Sequence, residues 1–511
     1  MSKKFYITTP IYYPSAKPHM GHAYSSIVSD FFARLKKIQG YEVFFLTGTD
    51  EHGQKIQRAA LQKNKEPLKF CDEISKTFKD LSKILNLSNN DFIRTTENRH
   101  KESVQKLWKI LESKKEIYLS KYSGWYSVSD EAFYNEDEIE EDDGFKKSKS
   151  SGSKVEWVEE ESFFFKLSKW QEPLLKFYKD NPEFILPEAR KNEVISFVES
   201  GLKDLSISRK SFTWGVKVPS NDKHVIYVWL DALTNYISAL NYTDENNELY
   251  KKFWPADIHI IGKDILRFHA VYWPAFLLAA GIKPPKRIYG HGWILSGDEK
   301  MSKSKGNILD PIEIIEKYGL DPLRYYLLKE VSFGNDGNIS NEKLESCINS
   351  DLANNYGNLC QRVLSFCEKN IGLKIPNLVE FKNEDLNILE NYENNFRTLN
   401  LNIDKQNINF YLNFIVEQLF KANKYFNDQE PWKKKNDKKR MNTIVYVSLE
   451  IIRKISIMLY PIIPESSLKA LKIFNILEKD IEFASILDNK YLLPETKINK
   501  IEILFNKIKN D

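Results

Sequence analysis

Cysteine is scarce: Cys71, Cys347, Cys360 and Cys367 are the only four in 511 residues, and no Cys-x-x-Cys pair occurs. That spacing supplies no cysteine zinc knuckle and fits free thiols in a reducing cytosol. Long apolar runs are missing too. None approaches the roughly 18–20 residues that span a bilayer, and no secretory segment follows Met1. Net charge is only +4, so any contact with nucleic acid has to come from local patches and not from a global field. Histidine is rare as well, at eight residues. These absences lead us to expect a cytoplasmic protein that does not enter membranes.

The apolar content of 42% and aromatic content of 13% suffice for well-packed globular domains, and the length implies two or three of them. "KKFYITTPIYY" reads as a buried strand. "HMGHAYSSIVSDFFARLKKIQG" follows with Ile27, Val28, Phe31, Phe32 and Leu35 at helical spacing, and Gly40 stands where a C′ glycine belongs. "YEVFFLTGTDEHG" is a second strand, which completes a strand–helix–strand unit and predicts a parallel sheet. Residues 116–228 carry acidic and Ser/Lys runs and short aromatic segments, as an inserted domain would. Strand–helix alternation returns with "KHVIYVWLDALTNYISAL", "ADIHIIGKDILRFHAVYWPAFLLAAG" and "RIYGHGWIL"; beyond about residue 335 the text is helix-like. The expected division is 1–115, 116–228, 229–335 and 336–511.

Two of the eight histidines fall in "SAKPHMGHAYS", just after the first strand. Pro18 suits the first turn of a helix, which places His19 and His22 on one face and lets a ligand approach the backbone at Gly21. Free N–H groups and the positive end of the helix dipole make such a turn an anion site. A metal site, or a pair of structural histidines, remains open on this stretch alone. The second distinctive stretch is "SGDEKMSKSKGN", with its lysines and glycines, directly after the strand "RIYGHGWIL". Taken alone, a lysine-rich stretch of this kind usually reads as a solvated surface loop.

In order and each after a strand, "HMGH" and "KMSKS" resemble the two signatures of class I aminoacyl-tRNA synthetases. "TTPIYYPSAKPHMGHAYS", "FLTGTDEHGQKIQ", "YVWLDALTNYI", "IHIIGKDILRFHAVYWPAFL", "HGWILSGDEKMSKSKGN" and "DQEPWK" narrow the resemblance, over nearly the whole chain, to the methionyl-tRNA synthetase family. It implies an α/β fold with a Rossmann-like parallel sheet split by a connective insertion, followed by an all-α anticodon-binding domain. The implied reaction activates methionine with ATP and transfers it to tRNA(Met), initiator tRNA included, with Mg²⁺ accompanying ATP. The resemblance makes His19, His22, Lys300 and Lys303 catalytic, and it assigns ATP to His19, Gly21, His22, Lys263, Asp264 and Lys303. Methionine falls to Ile11, Tyr13, Asp50, Trp229, Tyr236, Phe268, His269 and Trp273, with Asp50 holding the ammonium. Aromatic walls suit a polarizable thioether.

By the same resemblance Asn354, Asn358, Arg362 and Trp432 read the anticodon. The first three are spaced for one helix face, and "KKKNDKKR" offers charge for the tRNA backbone. The cysteine-free insertion resembles the zinc-free branch of the family, so no metal site is expected. The absence of an appended module after the helical domain suggests a monomer. Other class I synthetases for apolar amino acids are the alternative, but they usually carry a far larger editing insertion. A small-molecule nucleotidyltransferase and a catalytically silent tRNA-binding paralogue are the rival classes.

Overall fold

The computed structural model describes residues 3–130, 132–142, 144–244, 246–296, 299–300 and 310–508, with backbone alone at 142, 296, 299 and 300. The chain forms two compact units, one of Lys4–Ser29 with Val43–His291, the other of Met1–Lys3, Asp30–Glu42 and Gly292–Asp511.

In the first unit the strands used below are Lys4–Tyr12 (β1), Glu42–Thr49 (β2), Asp91–Arg94 (β3), Ile117–Ser127 (β4), Glu156–Phe165 (β5), Ile185–Leu186 (β6), Ile258–Gly262 (β7) and Ile288–His291 (β8). Six of them make one sheet in the order β3-β2-β1-β7-β8-β6. The β2–β3, β1–β7, β7–β8 and β8–β6 pairs are parallel. β1 and β2 are buried over nearly their whole length, as strands covered on both faces must be. Helices Met20–Ile38 (α1), Asn98–Ser113 (α2), Val228–Leu233 (α3) and Trp273–Ala280 (α4) alternate with the strands. Trp108 and Leu107 of α2, Leu230 of α3 and Phe276 of α4 join Tyr6 and Leu46 in one core.

The strand order has a consequence for ligands. From β1 the chain steps outward through β2 to β3, then crosses to the other side of β1 for β7 and β8. The order therefore reverses between β1 and β7. In open α/β sheets, ligands bind at the carboxyl ends of the strands flanking such a switch point.

Two details differ from the sequence reading. The strand in "KHVIYV" is Asn221–Ile226, and it pairs antiparallel with Ser208–Arg209 and Lys217–Val218 in a separate three-stranded sheet. Its first half is solvent-facing, unlike a strand covered on both faces. Conversely, the edge strand β6 of the parallel sheet comes from within 116–228 and has only two residues, too few to show any periodicity. The same stretch also holds the long β4–β5 antiparallel ladder, from Ile117↔Phe165 to Tyr126↔Glu156.

The second unit is mostly helical, with Leu320–Glu330 (α5), Asn358–Asn370 (α6), Asn383–Asp404 (α7), Ile408–Gln429 (α8) and Lys438–Leu459 (α9). α9 is buried along almost all of its length, as expected of a helix packed on several sides. The last turns of α1 belong to this unit. They end in a Schellman motif: Gly40 takes φ +83°, its N–H bonds Lys37 O, and Tyr41 N–H bonds Lys36 O. In the same unit, buried Asp30 accepts from Arg34 Nε at 2.7 Å and from Arg324 Nη2 at 2.7 Å. Among the described residues, no helix is long and apolar enough to cross a membrane.

Candidate active site

The carboxyl end of β1 leads through Tyr12 and Tyr13 into the turn that opens α1. The helix starts at Met20, so Pro18 precedes the cap instead of occupying the first turn, and His19 is the N-cap: His22 N–H and Ala23 N–H both bond His19 O. Gly21 N–H donates to His19 Nδ1 at 3.1 Å, and His19 N–H donates to His22 Nδ1 at 3.0 Å. A backbone N–H can only donate, so both Nδ1 atoms are acceptors and each neutral ring carries its proton on Nε2.

Backbone N–H groups that sequence reasoning offered to a ligand are therefore used by the imidazoles. The side-chain N–H of each ring is at Nε2. The rings lie 3.8 Å apart, and burial, with a smaller effect of His19, pushes the His22 imidazole well below its ordinary value of 6.5. A Cβ on Gly21 would sit 3.0 Å from His19 Cε1, so glycine here leaves room for the capping ring.

Around this turn other strand ends converge. At the end of β8, His291 Nε2 lies 2.7 Å from Ser25 Oγ, one turn along α1 from Gly21, and Ser25 Oγ also reaches Gly21 O at 3.2 Å. At the end of β7, Lys263 and Asp264 form a short 3-10 turn; Asp264 is exposed and Lys263 half-buried. A Cβ on Gly262 would meet Asp264 Oδ1 at 2.6 Å. Asp50, beyond β2, is 2% exposed, and its N–H bonds Tyr12 O at 2.9 Å.

The expected methionine residues form one aromatic cluster. Trp229 of α3 stacks on Phe268 with centroids 3.7 Å apart and planes 7° apart. Phe268 and His269 lie in a π-helical stretch, Phe268–Tyr272, of the kind often found at functional sites. Tyr236 is 6.2 Å from Trp273 between centroids, and its phenol is 2.8 Å from His269 Nε2. His269 Nδ1 faces Ile265 O at 2.9 Å. Burial lowers the His269 imidazole to about 4. The neutral ring thus donates from Nδ1 and accepts the Tyr236 hydroxyl at Nε2. Ile11, Tyr13 and Phe268 pack half-buried against the same core. Burial raises the Tyr236 phenol, and the Asp50 carboxylate adds to the effect.

Sequence reasoning did not single out His259, which bonds Thr8 Oγ1 at 2.8 Å and stacks behind Tyr236 at 4.0 Å. It also passed over His52, His100, Asp231 and His291; scarcity of histidine was the one available signal. Lys303 lies outside the described residues. Of Lys300 only the backbone is described, in a short antiparallel pairing with Leu295. Among the described residues, no group of three His, Cys, Asp or Glu could hold a metal ion.

In the helical unit Arg362 Nη2 donates to Asn427 Oδ1 at 2.5 Å and its guanidinium lies 5.6 Å from the Phe426 ring. Trp432, 39% exposed, packs edge-on against Phe426 at 6.0 Å. The turn that carries it follows Glu430, which takes φ 43°. Asn358 opens α6, whereas Asn354 lies in the π-helical stretch Ile348–Gly357. A four-residue step is less than one turn there, so the single α-helical face read from the sequence is interrupted.

An imidazole pair at the N-terminus of α1, buried Asp50 and an aromatic cluster thus stand at the strand ends around the switch point of a parallel sheet, and the class this fold belongs to is that of the class I aminoacyl-tRNA synthetases. The family described as "tRNA synthetases class I (M)" matches residues 5–143 and 145–364, and "Anticodon binding domain of methionyl tRNA ligase" matches 375–511. The chain is 49% identical to the methionine–tRNA ligase of Rickettsia conorii over 99% of its own length and 100% of the relative's, and 48% identical to that of Brucella suis over 95% and 94%. The Mycobacterium tuberculosis methionyl-tRNA synthetase in complex with methionyl-adenylate superposes with a TM-score of 0.96 at 45% identity, over 98% of this chain and 99% of that one. The chain belongs to the methionyl-tRNA synthetase family and is a methionine–tRNA ligase.

Proposed function

We propose that the cleft at the carboxyl ends of β1, β2 and β7 activates L-methionine with ATP, and that the helical unit holds the anticodon of tRNA(Met), initiator tRNA included, during transfer. The observation that carries this reading is the convergence of the His19–His22 cap, Asp50 and the aromatic cluster on the strand ends around the switch point. The methionine carboxylate attacks the α-phosphate of ATP, and pyrophosphate leaves. The nucleophile is already ionised at neutral pH, so the task is positioning two anions and stabilising phosphate charge. His19 and His22 do this with their Nε2–H groups at the helix N-terminus. Gly21, Lys263 and Asp264 line the nucleoside side.

Asp50 holds the methionine ammonium, and Ile11, Tyr13, Trp229, Tyr236, Phe268, His269 and Trp273 enclose the side chain. Lys300 and Lys303 are assigned to the leaving pyrophosphate by the family's second signature. Mg²⁺ enters with ATP, bound to phosphate oxygens, and no zinc is needed. The terminal ribose hydroxyl of tRNA then attacks the adenylate carbonyl. Asn354, Asn358 and Arg362 read base edges, and Trp432 stacks a base. Residues 116–228 serve as the connective insertion between 1–115 and 229–335, with 336–511 as the anticodon domain. The protein works in the cytoplasm as a monomer.

The test is ATP–pyrophosphate exchange on the purified protein with each apolar amino acid in turn. Exchange should depend on methionine and remain at background with leucine, isoleucine or valine. Exchange driven equally by another amino acid would assign the socket to that substrate instead.

A further inference from the structure

Asp231 is fully buried on α3, two residues beyond Trp229. It faces two histidines from other parts of the α/β unit: His52 Nδ1 lies 2.6 Å from Asp231 Oδ2, and His100 Nε2 lies 2.7 Å from Asp231 Oδ1. His52 follows Asp50 by two residues, and His100 sits on the first turn of α2. All three side chains are 3% exposed or less. The other ring nitrogen of His100, Nδ1, is buried without a hydrogen-bond partner among the described residues, so the bonding of this ring is directed at Asp231. Burial opposes ionisation of the carboxyl, but the two imidazoles more than offset it and hold Asp231 at about 2. The carboxylate therefore accepts from both rings.

The two ends of this arrangement need orientation for different reasons. α3 is only six residues long, and Trp229 Nε1 makes no hydrogen bond among the described residues. The position of that indole follows from the backbone of a short helix. On the other side, Glu51 anchors the Asp50 turn: its carboxylate accepts from Arg94 Nε at 2.6 Å and Nη2 at 3.0 Å, and its carbonyl accepts from Trp214 Nε1 at 2.6 Å. That anchor fixes the turn to its own surroundings but does not reach α3.

We propose that His52, Asp231 and His100 are positioning residues that lock the Asp50 turn to the Trp229 helix and so set the distance between the ammonium site and the aromatic wall of the methionine socket. The proposal rests on the reading of Asp50 and Trp229 as socket residues. The three bond one another between the Asp50 turn and the Trp229 helix, so the expected effect falls on methionine.

Donor-retaining and donor-removing variants separate positioning from mere filling of space. His52→Asn keeps an N–H near the place of Nδ1, and His100→Gln keeps one near Nε2; His52→Leu and His100→Leu cannot donate. In pyrophosphate exchange the Leu variants should raise the methionine KM by about 10- to 100-fold, the scale of a small misplacement of a binding group. The ATP KM should stay within about threefold, and the Asn and Gln variants should keep both KM values within about threefold of the parent. Asp231→Asn, which swaps one acceptor oxygen for a donor, carries the same expectation as the Leu variants should those not fold. Asp50→Asn and Trp229→Ala test the socket itself, and an unchanged methionine KM in both removes that reading. If those two raise the methionine KM while the Leu variants and Asp231→Asn bind methionine normally, the network has no positioning role. A positioning role is equally overturned if Asn and Gln lose as much as Leu, or if methionine and ATP KM rise together.

Discussion

Trp273 is completely buried and Tyr13 only half so, yet both are proposed walls of one socket. Trp273→Ala and Tyr13→Ala should each weaken methionine binding by about 1–3 kcal/mol, the scale of a lost shape contact, with little change in the ATP KM. An unchanged methionine KM in both variants would take them out of the site. The candidate residues His19, Gly21, His22, Asp50, Lys263 and Asp264 stand in contiguous strings, the form in which a sequence can single residues out. The Asp231 carboxylate could not, because its partners His52 and His100 lie 179 and 131 positions away. Nor does spacing say that the Nδ1 atoms of His19 and His22 accept backbone N–H groups, which leaves the proton of each ring on Nε2.

Elements with long apolar runs, β1, β2 and α1, were legible with their order and with the glycine stop at Gly40. The two-residue strand β6 was not, since its place in the sheet depends on a neighbour more than a hundred residues away. In α9, the helix text hides a buried cation. Lys454 is fully buried and donates to Ile486 O at 2.5 Å and Asn489 Oδ1 at 2.6 Å. Burial, with Arg453 beside it, lowers this ammonium from 10.5 to about 7.

A base whose folded value is depressed binds fewer protons in the folded state than in the unfolded state between those two values, so stability rises with pH across that window. Below about 7 the group is charged in both states and the penalty is constant. Raising the pH from 7 to 9 should therefore raise the melting temperature of the parent relative to Lys454→Met, which has nothing to titrate. Parallel melting curves for the two proteins over that range would show that Lys454 is not perturbed.

At the scale of the whole molecule, all eight histidines fall in the α/β unit and none in the helical one, although the latter includes everything from Gly292 onward. The division of chemistry is visible in that distribution. In the proposed function the imidazoles serve phosphate binding and socket positioning where adenylate is made, whereas bases in a single-stranded loop are recognised by stacking and edge contacts. The groups proposed for that task are Arg362, held by Asn427 and Phe426, and Trp432, with its ring partly exposed. A good bidentate edge contact discriminates by about 1–3 kcal/mol, and a stacked base contributes about as much.

The most direct measurement runs tRNA(Met) charging and tRNA-free pyrophosphate exchange side by side on Arg362→Ala and Trp432→Ala. Charging efficiency should fall by about 5- to 150-fold in each, from the same 1–3 kcal/mol, while methionine-dependent exchange stays at the parent rate. Exchange that falls in step with charging would contradict the account, because the helical unit would then support the active site instead of reading the anticodon.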